Sequence, residues 1–149
     1  HKPNAEDFYL EEDARMYEEI KEYLSEYLKL RRAQMRKTNE IAELRDSWTS
    51  VHTKLDGLPK GTTRLTMADY AAKLEELTDE LQEISSDASE ARRRIDWAID
   101  QLPKESYQDV LHCKYVLGQD WGEIEEKTGY SRRHAMRLHR EALACFELS

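Results

Sequence analysis

Nine apolar residues, Leu74, Leu77, Leu81, Ile84, Ala88, Ala91, Ile95, Ala98 and Leu102, follow one another at alternating steps of three and four. That spacing lines one stripe of an α-helix and nothing else, and a stripe of this length needs a facing helix to cover it. Thr66 with Asp69 three residues later reads as a capping box at the helix start. The Ser85-Ser86-Asp87 stretch is its weakest point, where the helix is expected to bend or break.

A matching seam lies upstream. It begins with Tyr17, Ile20, Leu24 and Tyr27 and resumes as Ile41, Leu44, Trp48, Val51 and Leu55. Between the two runs the seam positions are Arg31, Gln34 and Thr38, so this helix reads as interrupted by polar residues, with a slip of register at Thr38. Asp56-Gly57-Leu58-Pro59-Lys60-Gly61 supplies turn chemistry. These segments predict an N-terminal extension over 1–13, then a long antiparallel helical hairpin, coiled-coil-like, over 14–102 with its loop near 56–66. Folding about that loop sets Trp48 near Leu74, Ile41 near Leu81 and Gln34 near Ala88. Small alanines then face the polar stretch and leave the middle underfilled. Two helices alone bury little, so a partner is expected for the hairpin: a second copy, making a homodimer, or the C-terminal segment.

Composition fits an all-α fold. Charged residues make up 36% of the 149-residue chain and hydrophobic ones 39%, with only 5 Gly and 3 Pro to break helices. No window approaches the roughly 20 apolar residues of a membrane span, and nothing resembles a secretory h-region, so no membrane association and a cytoplasmic location are expected. Cys113 and Cys145 lack metal-ligand spacing and are expected to be reduced and buried. The five histidines do not cluster, so no metal is expected. Without a phosphate-binding glycine loop, a nucleophile elbow or a Ser or Cys with a positioned His, the chain reads as a non-enzyme without cofactor.

The net charge is −8. Residues 1–102 carry 16 Lys+Arg against 23 Asp+Glu, a net of −7; residues 103–149 carry 7 against 8, a net of −1. Indiscriminate coating of a polyanion is disfavoured by that balance. Yet Ser131 to Arg140 holds four arginines and no acid, a focused cationic face.

Three short helices are expected within 103–149. Pro103 can open one running to about Leu117, with Val110, Leu111, Tyr115 and Val116 inward and Gly118 at its end. Asp120 with Glu123 caps a second that carries Trp121 and Ile124. Gly129 permits the turn, and Ser131 caps the last helix. In that helix Ala135, Leu138, Ala142 and Leu143 face inward, while Arg132, Arg133, His134, Met136, Arg137 and Arg140 face outward. Such a face suits a helix placed in the major groove of double-stranded DNA.

Leu102-Pro103, Val110-Leu111, Lys114-Tyr115-Val116-Leu117-Gly118, Trp121-Gly122-Glu123-Ile124, Gly129-Tyr130-Ser131 and Arg137-Leu138-His139 with Ala142-Leu143 together resemble region 4 of bacterial sigma factors. More closely, the run resembles the ArpU/RinA-type phage transcriptional regulators, in which a long helical hairpin with a Pro-Gly loop precedes a sigma-like segment. The resemblance runs from about Tyr17 to Leu148. It implies a C-terminal helix-turn-helix over 103–149, regulation of transcription, and DNA contact by Ser131, Arg132, Arg133, His134, Met136, Arg137 and Arg140. It also implies RNA polymerase as a further partner. Glu125, Thr128 and Glu141 depart from the pattern, standing where relatives place alanine, leucine and a cation; the first two are expected to loosen packing between the helices.

Each feature has a plainer reading. Arg137 can pair with Glu141 one turn on. Arg132 and Arg133 oppose the dipole at a helix N-terminus, which hints at an external anion. His134 reads equally as a phosphate donor or a surface residue, and His139 more as a surface residue than a phosphate donor. Trp121 and Cys113 read as core, Trp48 and Trp97 as hairpin residues. Arg31, Arg32, Arg36 and Lys37, with Arg92, Arg93 and Arg94, form either an auxiliary phosphate patch or a solvated face paired with Asp87, Glu90 and Asp96. Two functions compete with a regulator: a DNA-recognition subunit for phage genome packaging, and a protein that docks on polymerase or a sigma factor without binding DNA.

Overall fold

A computed structural model describes the backbone of residues 5–53 and 66–146, with side chains from 13 to 51 and from 66 to 146. Five helices follow in order: α1 Ala5–Thr53, α2 Met67–Asp100, α3 Glu105–Tyr115, α4 Trp121–Thr128 and α5 Arg132–Ala144. No strand occurs among the described residues, as the composition leads one to expect. The Asp56–Gly61 turn, Leu55 and Leu148 lie outside the described residues. No described helix is long and apolar enough to cross a membrane.

Both long helices differ from expectation in continuity. α1 already begins at Ala5, inside the stretch read as an extension, and it runs unbroken through Arg31, Gln34 and Thr38. α2 passes through Ser85-Ser86-Asp87 without a break. Polar side chains on a seam weaken burial, but they remove no backbone hydrogen bond, so a helix held at both ends continues past them. The Thr66 capping box forms, Asp69 N–H donating to Thr66 Oγ1 at 3.1 Å.

The chain divides into two compact units, residues 1–29 with 89–149, and residues 30–88. In the first, Ile20 and Leu24 of α1 join Ile95, Ile99 and Leu102 around Tyr107, Val110, Leu111, Leu138 and Leu143 in one buried cluster. Leu24, Ile95, Val110, Leu111 and Leu143 are almost wholly buried. The three short helices hold 32 residues between them, too few to enclose a core alone. Residues from the two long helices complete it. Ile99 is buried where the seam pointed to its half-buried neighbour Ala98, because a straight helix drifts from a strict seven-residue repeat. At the edge, Arg94 pairs with Glu26 at 3.1 Å, and Arg92 lies over the Tyr27 ring while bonding Asp96 at 2.8 Å.

In the 30–88 unit the cross-helix pairs step in opposite directions along the chain. Gln34 donates to Ser85 Oγ at 2.8 Å, Lys37 meets Glu80 at 2.6 Å, and Trp48 stacks on Tyr70 with centroids 4.5 Å apart. Trp48 therefore sits opposite Tyr70 rather than Leu74, and Gln34 opposite Ser85 rather than Ala88: about one helical turn from the expected pairing. The Gln34–Ser85 bond satisfies polar groups at the position read as underfilled. Buried apolar residues in this unit are Ile41, Leu77 and Ala88.

Candidate nucleic-acid interface

The α4–α5 pair is built from local rules. Asp120 caps α4 reciprocally with Glu123: the Glu123 N–H donates to Asp120 Oδ1 at 2.8 Å, and the Asp120 N–H to Glu123 Oε1 at 3.3 Å. The first of these, the Glu123 N–H, is the main cause that holds the Asp120 carboxyl below its usual range. Gly129, at φ +79°, ends α4 in the left-handed conformation. The Thr128 hydroxyl donates to the Ile124 carbonyl at 2.6 Å and accepts from Tyr130 N–H at 3.2 Å. Ser131 Oγ then accepts from His134 N–H at 3.2 Å, capping α5.

Packing behind the pair is tight. Ile124, Cys113 and Ala135 form a small buried cluster with Trp121 and Tyr130 against it. Of the two residues expected to loosen this contact, Glu125 is exposed, and the Thr128 hydroxyl bonds the Ile124 carbonyl and the Tyr130 N–H in the turn. Burial pushes the Cys113 thiol up, as suits a packing residue. Cys145, expected to be buried, is exposed, because it sits just past the end of α5.

On α5 the inward set is as the spacing predicts: Ala135, Leu138, Ala142 and Leu143 are buried. His139 joins them, which corrects its reading as a phosphate donor or surface residue. Its ring stacks on Tyr115, meets Tyr17 and Trp121 edge-on, and places Nε2 2.7 Å from the Tyr115 hydroxyl. Burial, helped by the nearby Lys114 and Lys21 charges, lowers its pKa to about 4. Trp97, read as a hairpin packing residue, is 63% exposed. Its position on α2 falls off the buried Ala91–Ile95–Ile99 line.

The outward set comes together on one face. Ser131, Arg132, Arg133, Met136, Arg137 and Arg140 are exposed and His134 is half-buried, but their electrostatic surroundings differ. A Cβ added at Gly122 would stand 3.7 Å from Arg132 Nη2 and 3.3 Å from Asp120 Oδ1. Arg132 thus leans toward the α4 cap, and its charge helps lower the Asp120 pKa. The unfavourable dipole position of Arg132 has an internal remedy that the sequence did not reveal. Arg137 donates to His134 Nδ1 at 2.8 Å and approaches Glu141 at 3.8 Å. Among the described residues Arg133 and Arg140 have no hydrogen-bonding or ion-pair partner. Met136 is 43% exposed between Arg132 and Arg140 on the helix surface.

In the second basic cluster Lys37 pairs with Glu40 and, across the helices, with Glu80, Arg92 with Asp96, and Arg94 with Glu90 and Glu26, while Arg31 bonds Gln34 and Arg32, Arg36 and Arg93 have no ion pair among the described residues. Among the described residues no group of His, Cys, Asp and Glu could hold a metal ion. The chain matches no protein-family model, no curated protein and no solved structure with which it was compared.

Proposed function

We propose that this chain is a DNA-binding regulator of the phage type. In this reading α4, the Gly129–Ser131 turn and α5 act as a helix-turn-helix, with α5 in the major groove of duplex DNA. The observation that carries it is the outward face of α5, where Arg132, Arg133, Arg137 and Arg140 stand exposed and two of them lack any partner among the described residues. An exposed cation without a local anion is placed to displace counterions from a phosphate backbone. The aromatic cluster about His139 and the α4 cap hold that face rigidly on the core, which a base-reading helix requires. Ser131, at the N-cap, and Met136 complete the contact surface.

The 30–88 unit is offered as the place where a second copy or RNA polymerase binds. Its buried apolar residues are few, while Met35, Val51 and Met67 are exposed.

Selection of duplexes from a random library by the intact chain, followed by titration at two salt concentrations, tests the DNA reading. Enrichment of a sequence, with affinity falling as salt rises, is the expected result. Failure to retain any duplex at low salt refutes it.

A further inference from the structure

The arginines of α5 differ in how their charge is used. Arg137 lies within a chain of contacts that crosses the helix surface. The Tyr130 ring meets His134 edge-on at 5.2 Å, and His134 Nδ1 accepts from Arg137 Nη2 at 2.8 Å. Arg137 Nε then faces a Glu141 oxygen at 3.8 Å, and the other Glu141 oxygen accepts from the Tyr107 hydroxyl at 3.0 Å. A guanidinium can only donate, so His134 Nδ1 is the acceptor and the ring proton sits on Nε2. Arg137 is thereby held from the preceding turn and from the following one. Each holding residue is itself held, His134 by the α4–α5 turn and Glu141 by α3.

Two consequences follow for what such a side chain can do. The Glu141 carboxylate offsets its charge and repels a phosphate, so Arg137 is a poor counterion for the DNA backbone. Its Nη1 donors and the second N–H of Nη2 have no acceptor among the described residues. A held guanidinium with donors to spare suits the O6 and N7 acceptors of guanine, which lie in the plane of the major-groove edge. Arg133 and Arg140 have the opposite character. They are unpaired, and at seven residues apart they lie along the same side of α5, separated by about 10 Å.

The geometry points to a division of labour on α5, resting on the DNA-binding reading above: Arg137 reads a guanine edge, His134 and Glu141 position it, and Arg133 and Arg140 bind phosphates. The experiment uses the full chain and a duplex selected by it from a random library. A guanine whose replacement by 7-deazaguanine, which lacks the N7 acceptor, weakens binding is sought along that duplex. In the intact chain the loss of the whole guanine contact amounts to about 5- to 150-fold. In Arg137→Ala the 7-deaza substitution at that position has no further effect, and the slope of log affinity against log salt is unchanged. Arg133→Ala and Arg140→Ala each lower that slope by about one and keep the guanine preference. His134→Ala weakens the preference with the slope intact, a pattern that a merely structural defect would not give.

Retention of the same 7-deaza sensitivity by Arg137→Ala overturns the assignment, as does its loss in Arg133→Ala with the slope unchanged. A chain that selects no duplex overturns the DNA-binding reading itself. Selection without these variant effects overturns only the division of labour.

Discussion

His139 on α5 stacks on Tyr115 of α3 with ring centroids 5.6 Å apart, and its Nε2 lies 2.7 Å from the phenol oxygen. This pair joins the helix that carries the cationic face to the core behind it. The environment that makes it effective also makes it sensitive to acid. Burial first, then the charges of Lys114 and Lys21, keeps His139 neutral down to about pH 4, whereas its ordinary value is 6.5. The unfolded chain therefore takes up a proton that the folded chain refuses. The stabilisation from neutral His139 is complete above pH 6.5, declines as pH falls toward 4, and amounts to about 3 kcal/mol. The difference in denaturation free energy between the parent and His139→Phe, followed from pH 7 to pH 4, reads this out: the parent loses more. Tyr115→Phe is expected to destabilise by about 1–3 kcal/mol at pH 7, since it leaves a buried ring nitrogen unpaired.

The shared core predicts how the chain can be divided. Ile20, Leu24, Ile95 and Ile99 lie in the same cluster as Val110, Leu111 and Leu143. A peptide of residues 103–149 lacks them and is expected to show little helix by far-UV circular dichroism. A chain in which residues 30–88 are replaced by a short Gly-Ser connection keeps the whole cluster and is expected to unfold cooperatively. Within it, Ile95→Ala costs about 2–5 kcal/mol.

Gly118 and Gly129 adopt φ of +67° and +79°. A Cβ at 129 meets nothing within 4 Å, and one at 118 meets Leu28 Cδ2 at 3.4 Å, an ordinary contact. Backbone strain is the common cost, so Gly118→Ala and Gly129→Ala should each destabilise by about 1–2 kcal/mol in chemical denaturation. Asn at either position should recover part of that loss.

Ser131 caps α5, and in the proposed DNA-binding reading it also faces the duplex; substitution separates the two. Ser131→Ala removes the acceptor for His134 N–H and is expected to cost about 1 kcal/mol of stability. Ser131→Asp keeps the cap and improves the dipole interaction, so its melting temperature should equal or exceed the parent's. In the proposed reading its carboxylate faces the DNA backbone, so duplex affinity at low salt is expected to fall. Thermal melts and anisotropy titrations on the three chains provide the check.

Features that depend on residues close in sequence were legible without coordinates. The Thr66, Asp120 and Ser131 caps, the glycine turns at 118 and 129, and the inward set Ala135, Leu138, Ala142 and Leu143 all follow from helical period and backbone chemistry. The pairing in the 30–88 unit was not. A seam repeating at three and four residues looks almost the same when one helix slides by a turn. Trp48 against Tyr70 and Gln34 against Ser85 are chosen by side-chain fit, which periodicity does not encode.

The sequence by itself determined that this chain is helical, where α4 and α5 begin, and which side of α5 carries the arginines, because each of these is set within one or two turns of backbone. Tertiary structure decided the rest. It buried His139 through rings contributed by three other helices, gave Arg132 a neighbour in the Asp120 cap, and set Tyr107 of α3 on the Glu141 carboxylate that faces Arg137. The physical reason is the range of the interactions. Helical period and capping act between residues a few positions apart, whereas burial and charge depend on which distant segments the folded chain brings within a few ångströms.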